Sequence, residues 1–335
     1  MSSRLFGVGI EGPVLSPGER DILQAHPPYG VILFRRNIED PEQLARLIGN
    51  VRDAGARYLF VDQEGGPVDR LRDVLAPAPS FARAARAGAG RRAGELAGEA
   101  LARLGFDVDL APVVDRAVPG AGATVLGERS PDADPGAVIH AAGEFLAGLH
   151  ARGIAGCLKH FPGLGRARFD THEKLPVIES NPHQLALDLA PFDALMSQAR
   201  AIMVSHAAAE DGIPASLSAA WTTTQLREIL GFEGAAFSDD LEMGALAAFG
   251  GLPERSARAS VAGCDLLFVC RRLEEYPACV DAVERDVPVA RRAEAAERLE
   301  AYAGHIESLR PARARETGLL ETVTAAIRGF DASLA

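Results

Sequence analysis

The sequence predicts an α/β fold, a single (β/α)8 barrel of the TIM type spanning residues 1–335, and three observations carry that prediction. Eight short apolar runs recur along the chain, most of them continuously apolar rather than alternating, as in strands buried on both faces of a parallel sheet. Helical patterns lie between them, and no Ser/Pro-rich linker or internal repeat divides the chain. A doubly wound open sheet is the alternative, but no GxGxxG follows the first run.

The runs are Leu5–Ile10, Gly30–Phe34, Tyr58–Asp62, Val108–Pro112, Gly156–His160, Ala201–Ser205, Gly234–Ser238 and Leu266–Cys270. Among the helical stretches, Pro41–Ala54 carries Leu44, Ile48 and Val51 on one face. Ser80–Leu104 places Leu96, Ala100 and Leu104 together, and Pro135–Ala151 carries Ile139, Phe145 and Leu149. Thr222–Leu230 opens on a run of Thr suited to capping and stops at Gly231. From Arg271 onward the chain reads as peripheral helices.

Hydrophobic residues make up 47% of the chain and charged ones 24%, an ordinary globular balance that argues against disorder. A net charge of −11 without a basic stripe argues against nucleic acid or an anionic membrane as partner. No apolar run approaches the roughly 18 residues of a membrane span, and Glu11 and Pro13 interrupt the N-terminal apolar stretch. Cys157, Cys264, Cys270 and Cys279 lack CxxC spacing and lie in or near apolar runs, which predicts reduced thiols and a cytoplasmic protein. Carboxylates and His without ligand spacing predict no metal or other cofactor. Of the 35 basic residues only Lys159 and Lys174 are Lys. A compact ammonium kept against such an Arg bias marks a place to look.

In a barrel of this kind chemistry sits where the strands end. Asp62-Gln63-Glu64-Gly65-Gly66 follows the third run, Asp115 the fourth, Lys159-His160 closes the fifth, His206 follows the sixth, and Asp239-Asp240 follows the seventh. Adjacent residues of a strand face opposite sides, so Asp239 and Asp240 are expected in different environments, with Asp240 capping a helix from Leu241. His172 lies in a Gly-containing loop after the fifth run, where Asp170 could orient it and favour its protonated form. Lys159 could form a Schiff base, as in an aldolase, or donate hydrogen bonds to a polyhydroxylated ligand, a role with which Arg70 and Arg129 are compatible.

Seven motifs then occur in order: VDQEGGPVDRLR (61–72), LAPVVD (110–115), LGERS (126–130), KHFPGLG (159–165), DTHEKLP (170–176), PASLS (214–218) and FSDDLEM (237–243). With GVILFRRN (30–37) and AGCDLLFVC (262–270), the chain from about residue 5 to about 275 resembles the single-domain β-N-acetylhexosaminidases of glycoside hydrolase family 3, which serve bacterial peptidoglycan recycling. The resemblance implies a barrel and retaining hydrolysis of non-reducing-end N-acetylglucosamine from muropeptide-like glycosides. It implies Asp239 as nucleophile, His172 with Asp170 as acid/base dyad, and Asp62, Arg70, Arg129, Lys159 and His160 as holders of the sugar hydroxyls, with His206 near the sugar. Leu164, Pro67 and Pro131 depart from the family pattern, which more often has His, Arg and an aromatic there. N-acetylglucosaminide phosphorolysis, another family 3 β-glycosidase activity and a catalytically silent sugar-binding barrel are the alternative readings.

Overall fold

A computed structural model describes residues 2–118, 126–166, 181–208, 212–315 and 320–334. Eight strands form one parallel sheet: β1 (Phe6–Gly9), β2 (Gly30–Leu33), β3 (Tyr58–Val61), β4 (Val108–Asp109), β5 (Leu158–Phe161), β6 (Ala201–Val204), β7 (Ala235–Asp240) and β8 (Leu266–Val269). They follow one another in space as β4-β3-β2-β1-β8-β7-β6-β5. The sheet is curled, and isolated contacts link the regions of its two edge strands. Parallel bridges join Val108 to Ala155 and Val113 to Lys159, and Val114 N–H donates to Lys159 O at 2.8 Å. Each of the eight apolar runs overlaps one of these strands, six containing it whole while the strands at Leu158–Phe161 and Ala235–Asp240 extend past their runs, and no other strand joins this sheet among the described residues.

Glycines in the first two strands make the interior possible. A Cβ at Gly7 would lie 2.4 Å from the Phe268 ring, and one at Gly30 would lie 2.3 Å from the Phe60 ring. The space they leave is filled by Phe60, Phe237 and Phe268, whose rings meet edge to face at 5.7–6.2 Å between centroids. Such pairs add about 0.5–1.5 kcal/mol each beyond their buried area. Phe268 also reaches the floor of the cleft described below.

The helices form where the capping residues allow. Asp40 accepts from Gln43 N–H at the start of Pro41–Asp53, and Asp134 does the same for Pro135–Ala151. The expected Ser80–Leu104 stretch is two helices, Phe81–Arg86 and Gly90–Leu104, because Gly88 between them takes a positive φ of 66°. The helix near Thr222 starts earlier, at Ala220, and runs to Ile229 with wider π-type turns.

The segment after Arg271 does more than flank the sheet. Helix Val289–Leu309 sets Tyr302 against Phe237 at 5.5 Å, and the Tyr302 hydroxyl donates to Gly156 O. Asp107, just before β4, is paired with Arg52, Arg310 and Arg313. Asp265, just before β8, is paired with Arg227, Arg291 and Arg298. Arg291, Arg298, Arg310 and Arg313 thus tie the C-terminal helices to the end of the sheet opposite the cleft. All four cysteines are buried with free thiols. No helix among the described residues is long and apolar enough to cross a membrane.

Candidate active site

The C-terminal ends of the strands open into a cleft of about 730 Å³. Of the sequence-predicted residues, Asp62, Arg70, Arg129, Lys159, His160 and Asp239 line it. His172 and Asp170 lie outside the described residues.

One wall is a chain of paired charges. Lys159 is 2% exposed and holds Asp62 Oδ1 at 2.7 Å and Glu64 Oε1 at 2.6 Å. Arg129 grips Glu64 with two bonds of 2.8 and 2.9 Å, from Nε and Nη2, and the same Nη2 meets His160 Nε2 at 3.1 Å. His160 Nδ1 contacts Asp115 Oδ2 at 2.6 Å. Asp115 is buried and can only accept if ionised, so Nδ1 carries the proton and Nε2 accepts from Arg129. Arg70 lies 3.6 Å from Asp62 Oδ2 and stacks over Phe34.

Burial would push each of these charges toward its neutral form, and the neighbours reverse that. Lys159 and then Arg129 hold the Glu64 carboxyl far below the usual carboxylate range. Burial also opposes ionisation of Asp62, but Lys159 and Arg70 carry its carboxyl below the ordinary value. Burial is the largest influence on Lys159 too, and Asp62 and Glu64 outweigh it, so its ammonium is held above the ordinary value. A lysine kept protonated between two carboxylates has no free lone pair for a carbonyl carbon, so the Schiff-base alternative gives way to hydrogen-bond donation.

Glu64 and Asp115 organise this wall, and sequence reasoning gave neither a role. Both stood in view as polar strand-end residues, but only their tertiary partners distinguish them from solvent contacts. Glu64 is presented by a small hairpin, Gln63–Gly65 with Val68–Asp69. Gln63 Nε2 donates to Asp69 and its Oε1 accepts from Arg70 N–H. The turn needs Gly65, whose φ is +78° and whose Cβ would sit 2.2 Å from Pro79 O. Asp115 accepts from the N–H of both His160 and Leu164 besides the ring. Leu164 itself packs with Leu126 and Ala207 beside the cleft.

Asp239, Asp240 and Glu242, carried by the end of β7 and the turn after it, line the same cleft. Asp239 Oδ1 accepts from Asp240 N–H at 2.8 Å. Both members of the Asp pair line the cleft, so Asp240 does not turn away from it as strand alternation predicts. The ladder shows why. Leu266 pairs with Phe237 and Phe268 with Asp240, so three residues of β7 advance while β8 advances two. Nor does Asp240 cap a helix. Its carboxylate accepts from Glu242 N–H in a turn, ahead of the 3-10 segment Gly244–Phe249. Burial, then Glu242 and Asp239, pushes the Asp240 carboxyl up to about 7. Glu242 is engaged by the N–H groups of Arg271 and Arg272 and by the Arg272 side chain.

His206 is placed differently from the sugar contact expected of it. Its ring is fully buried and stands behind the residues that line the cleft. Nδ1 lies 2.7 Å from Ser216 Oγ and Nε2 lies 2.8 Å from Asp240 O.

A carboxylate sharing one cleft with a preassembled, charge-paired array of donors and acceptors, at the mouth of a parallel α/β sheet, is the site of a glycoside hydrolase. Residues 15–302 match the Glycosyl hydrolase family 3 N terminal domain, and the chain belongs to that family. It is 36% identical over 301 residues to a beta-hexosaminidase of Thioalkalivibrio sulfidiphilus, covering 85% of this chain and 86% of that one. It is 40% identical over 298 residues to a beta-hexosaminidase of Alkalilimnicola ehrlichii, covering 84% and 83%. Among solved structures, NagZ from Neisseria gonorrhoeae in complex with N-trifluoroacetyl-D-glucosamine superposes with a TM-score of 0.82 at 28% identity, over 99% of this chain and 97% of that one.

Proposed function

We propose that the chain is a retaining exo-β-N-acetylglucosaminidase, a single (β/α)8 catalytic unit that removes N-acetylglucosamine from the non-reducing end of β-linked glycosides. The observation that carries this reading is that Asp239 and the Asp62–Lys159–Glu64–Arg129–His160 array line one cleft. A sugar ring set against that array would meet donors at Lys159 and Arg129 and an acceptor at Asp62. Its anomeric carbon would then be directed toward Asp239. The Asp239 carboxylate attacks that carbon and forms a glycosyl-enzyme ester, while the leaving oxygen takes a proton from His172. Water, deprotonated by His172, then opens the ester with net retention. Asp170 orients His172 and favours its cationic form in the first half of the cycle. The names of the relatives and the N-acetylglucosamine analogue in the Neisseria complex support the sugar preference. Muropeptide fragments, met in a reducing cytoplasm that suits four free thiols, are the natural glycosides in this reading.

The test is a panel of aryl β-glycosides, N-acetylglucosaminide against glucoside, with wild type and Asp239→Ala. Turnover of the N-acetylglucosaminide by wild type and its abolition in Asp239→Ala are expected. Normal turnover by that variant would remove the nucleophile assignment, and a preference for the glucoside would remove the sugar assignment.

A further inference from the structure

Asp239 stands at an irregularity of the sheet, between Ser238, which pairs with Val204 of β6, and Asp240, which pairs with Phe268 of β8. Beyond Phe237 the regular ladder of β7 with β8 is interrupted, and the strand bulges through Asp239 and Asp240. A bulged end left to itself is a poor platform for a group that must be placed within about 0.5 Å. A further hold on this irregular segment serves that placement.

His206 is that hold in geometry. Asp240 O can only accept, so the contact at 2.8 Å makes Nε2 the protonated nitrogen. A neutral ring then accepts at Nδ1 from the Ser216 hydroxyl, 2.7 Å away. Ser216 is itself fixed by main-chain bonds, its N–H donating to Ser205 O and its carbonyl accepting from the Cys264 thiol. The same residue, Asp240, passes the constraint on. Its carbonyl is pinned by His206 and by Met243 N–H, and its own N–H donates to Asp239 Oδ1 at 2.8 Å. Oδ1 is thereby turned toward the backbone, which leaves Oδ2 as the oxygen presented to the cleft.

We infer that His206 is a positioning residue for the Asp239 carboxylate, acting through the main chain of Asp240 and locked in turn by Ser216. The inference rests on Asp239 being the nucleophile. It assigns His206 to the alignment of the attacking oxygen in place of contact with the sugar.

The test compares His206→Gln, whose side-chain amide restores a donor near Nε2, with His206→Leu, which fills the space without one. Four quantities are measured: kcat and KM on an aryl β-N-acetylglucosaminide, Ki for free N-acetylglucosamine, and the rate at which a 5-fluoro-N-acetylglucosaminyl fluoride labels Asp239. Misplacing a reacting group by about 1 Å costs on the order of 100-fold. His206→Leu is therefore expected to lose about 10- to 100-fold in kcat and in labelling rate, with KM and Ki within about threefold of wild type. His206→Gln should recover most of the loss. A tenfold rise in Ki with kcat unchanged would overturn the inference in favour of direct sugar contact. Equal loss in the Gln and Leu variants would reduce the ring to a space filler and overturn it too, as would full activity in His206→Leu. Should His206→Leu fail to fold, Ser216→Ala carries the same test, with a smaller loss expected in kcat alone. Failure of the function reading shows separately, as an inactive wild type or an active Asp239→Ala.

Discussion

Replacing Asp240 by Asn should stabilise the protein at neutral pH, by an amount that itself changes with pH. Burial, then Glu242 and Asp239, raises the Asp240 carboxyl from 3.8 to about 7. In the unfolded chain the proton leaves near 3.8, whereas the native protein keeps it until about 7. Between those values the native state binds more protons, so this group's contribution falls as the pH rises. A gap of about three pH units at about 1.4 kcal/mol each gives roughly 4 kcal/mol. The carboxyl borders an open cleft, and water there screens it, so about half of that, roughly 2 kcal/mol, is the expected effect. Asn keeps an acceptor for Glu242 N–H, now 3.1 Å from Oδ1, and carries no charge to repel Glu242 and Asp239. Urea unfolding of both proteins between about pH 4 and pH 8 reads the difference through the transition midpoint. The two should be nearly equal at the acid end. The variant should gain steadily up to about pH 7 and hold its lead beyond it. A difference that does not vary with pH, or a variant less stable at the alkaline end, would refute the assignment of that proton to Asp240.

Glu64→Gln removes the anion shared by two buried cations, and breaking such a pair costs about 3–5 kcal/mol. Because the Glu64 carboxyl is held below its ordinary 4.5, the deficit should be full above that value and shrink as the pH falls below it, which urea midpoints at several pH values would show. Lys159→Arg forces a planar fork into a space that holds Asp62 and Glu64 at 2.7 and 2.6 Å from one nitrogen. It should lower kcat/KM by about 10- to 100-fold, the worth of one or two charged hydrogen bonds, chiefly through KM in steady-state assays. Gly94→Ala sets a Cβ 2.1 Å from Phe145 O, where helix Gly90–Leu104 crosses helix Pro135–Ala151. Overpacking there should cost about 1–3 kcal/mol by calorimetry and leave KM unchanged, since the crossing is remote from the cleft-lining residues.

The fold was legible because buried parallel strands announce themselves as apolar runs. All eight runs overlap strands, and the polar ends of the third, fifth and seventh line one cleft. What could not be read was anything decided by tertiary pairing. Glu64 looks in sequence like any acidic turn residue, and only the hairpin that folds it inward makes it the partner of Lys159 and Arg129. The scarcity of Lys did lead to Lys159 before any motif was used, because a residue type held against a strong bias carries local information. The opposite error, giving Asp240 a helix to cap, came from assuming an unbroken pleat. A one-residue bulge reverses which way a strand-end side chain faces, and nothing in the letters FSDD marks it.

The cleft is divided electrostatically, and the division suits the proposed reaction. On the array side the carboxylates of Asp62, Glu64 and Asp115 are matched by Lys159, Arg129 and Arg70, so an uncharged sugar meets fixed dipoles and little net field. At the end of β7 and in the turn after it stand three carboxyl groups, Asp239, Asp240 and Glu242, and Arg272 is the side chain seen to bond among them, at Glu242. A second free negative charge next to Asp239 would help the developing oxocarbenium ion but would also raise the cost of keeping the nucleophile ionised. Holding the Asp240 carboxyl near neutrality resolves the conflict. In the proposed reaction a protonated Asp240 adds no second negative charge beside the attacking carboxylate, while the Asp240 main chain, bonded by His206 Nε2, holds Asp239 Oδ1.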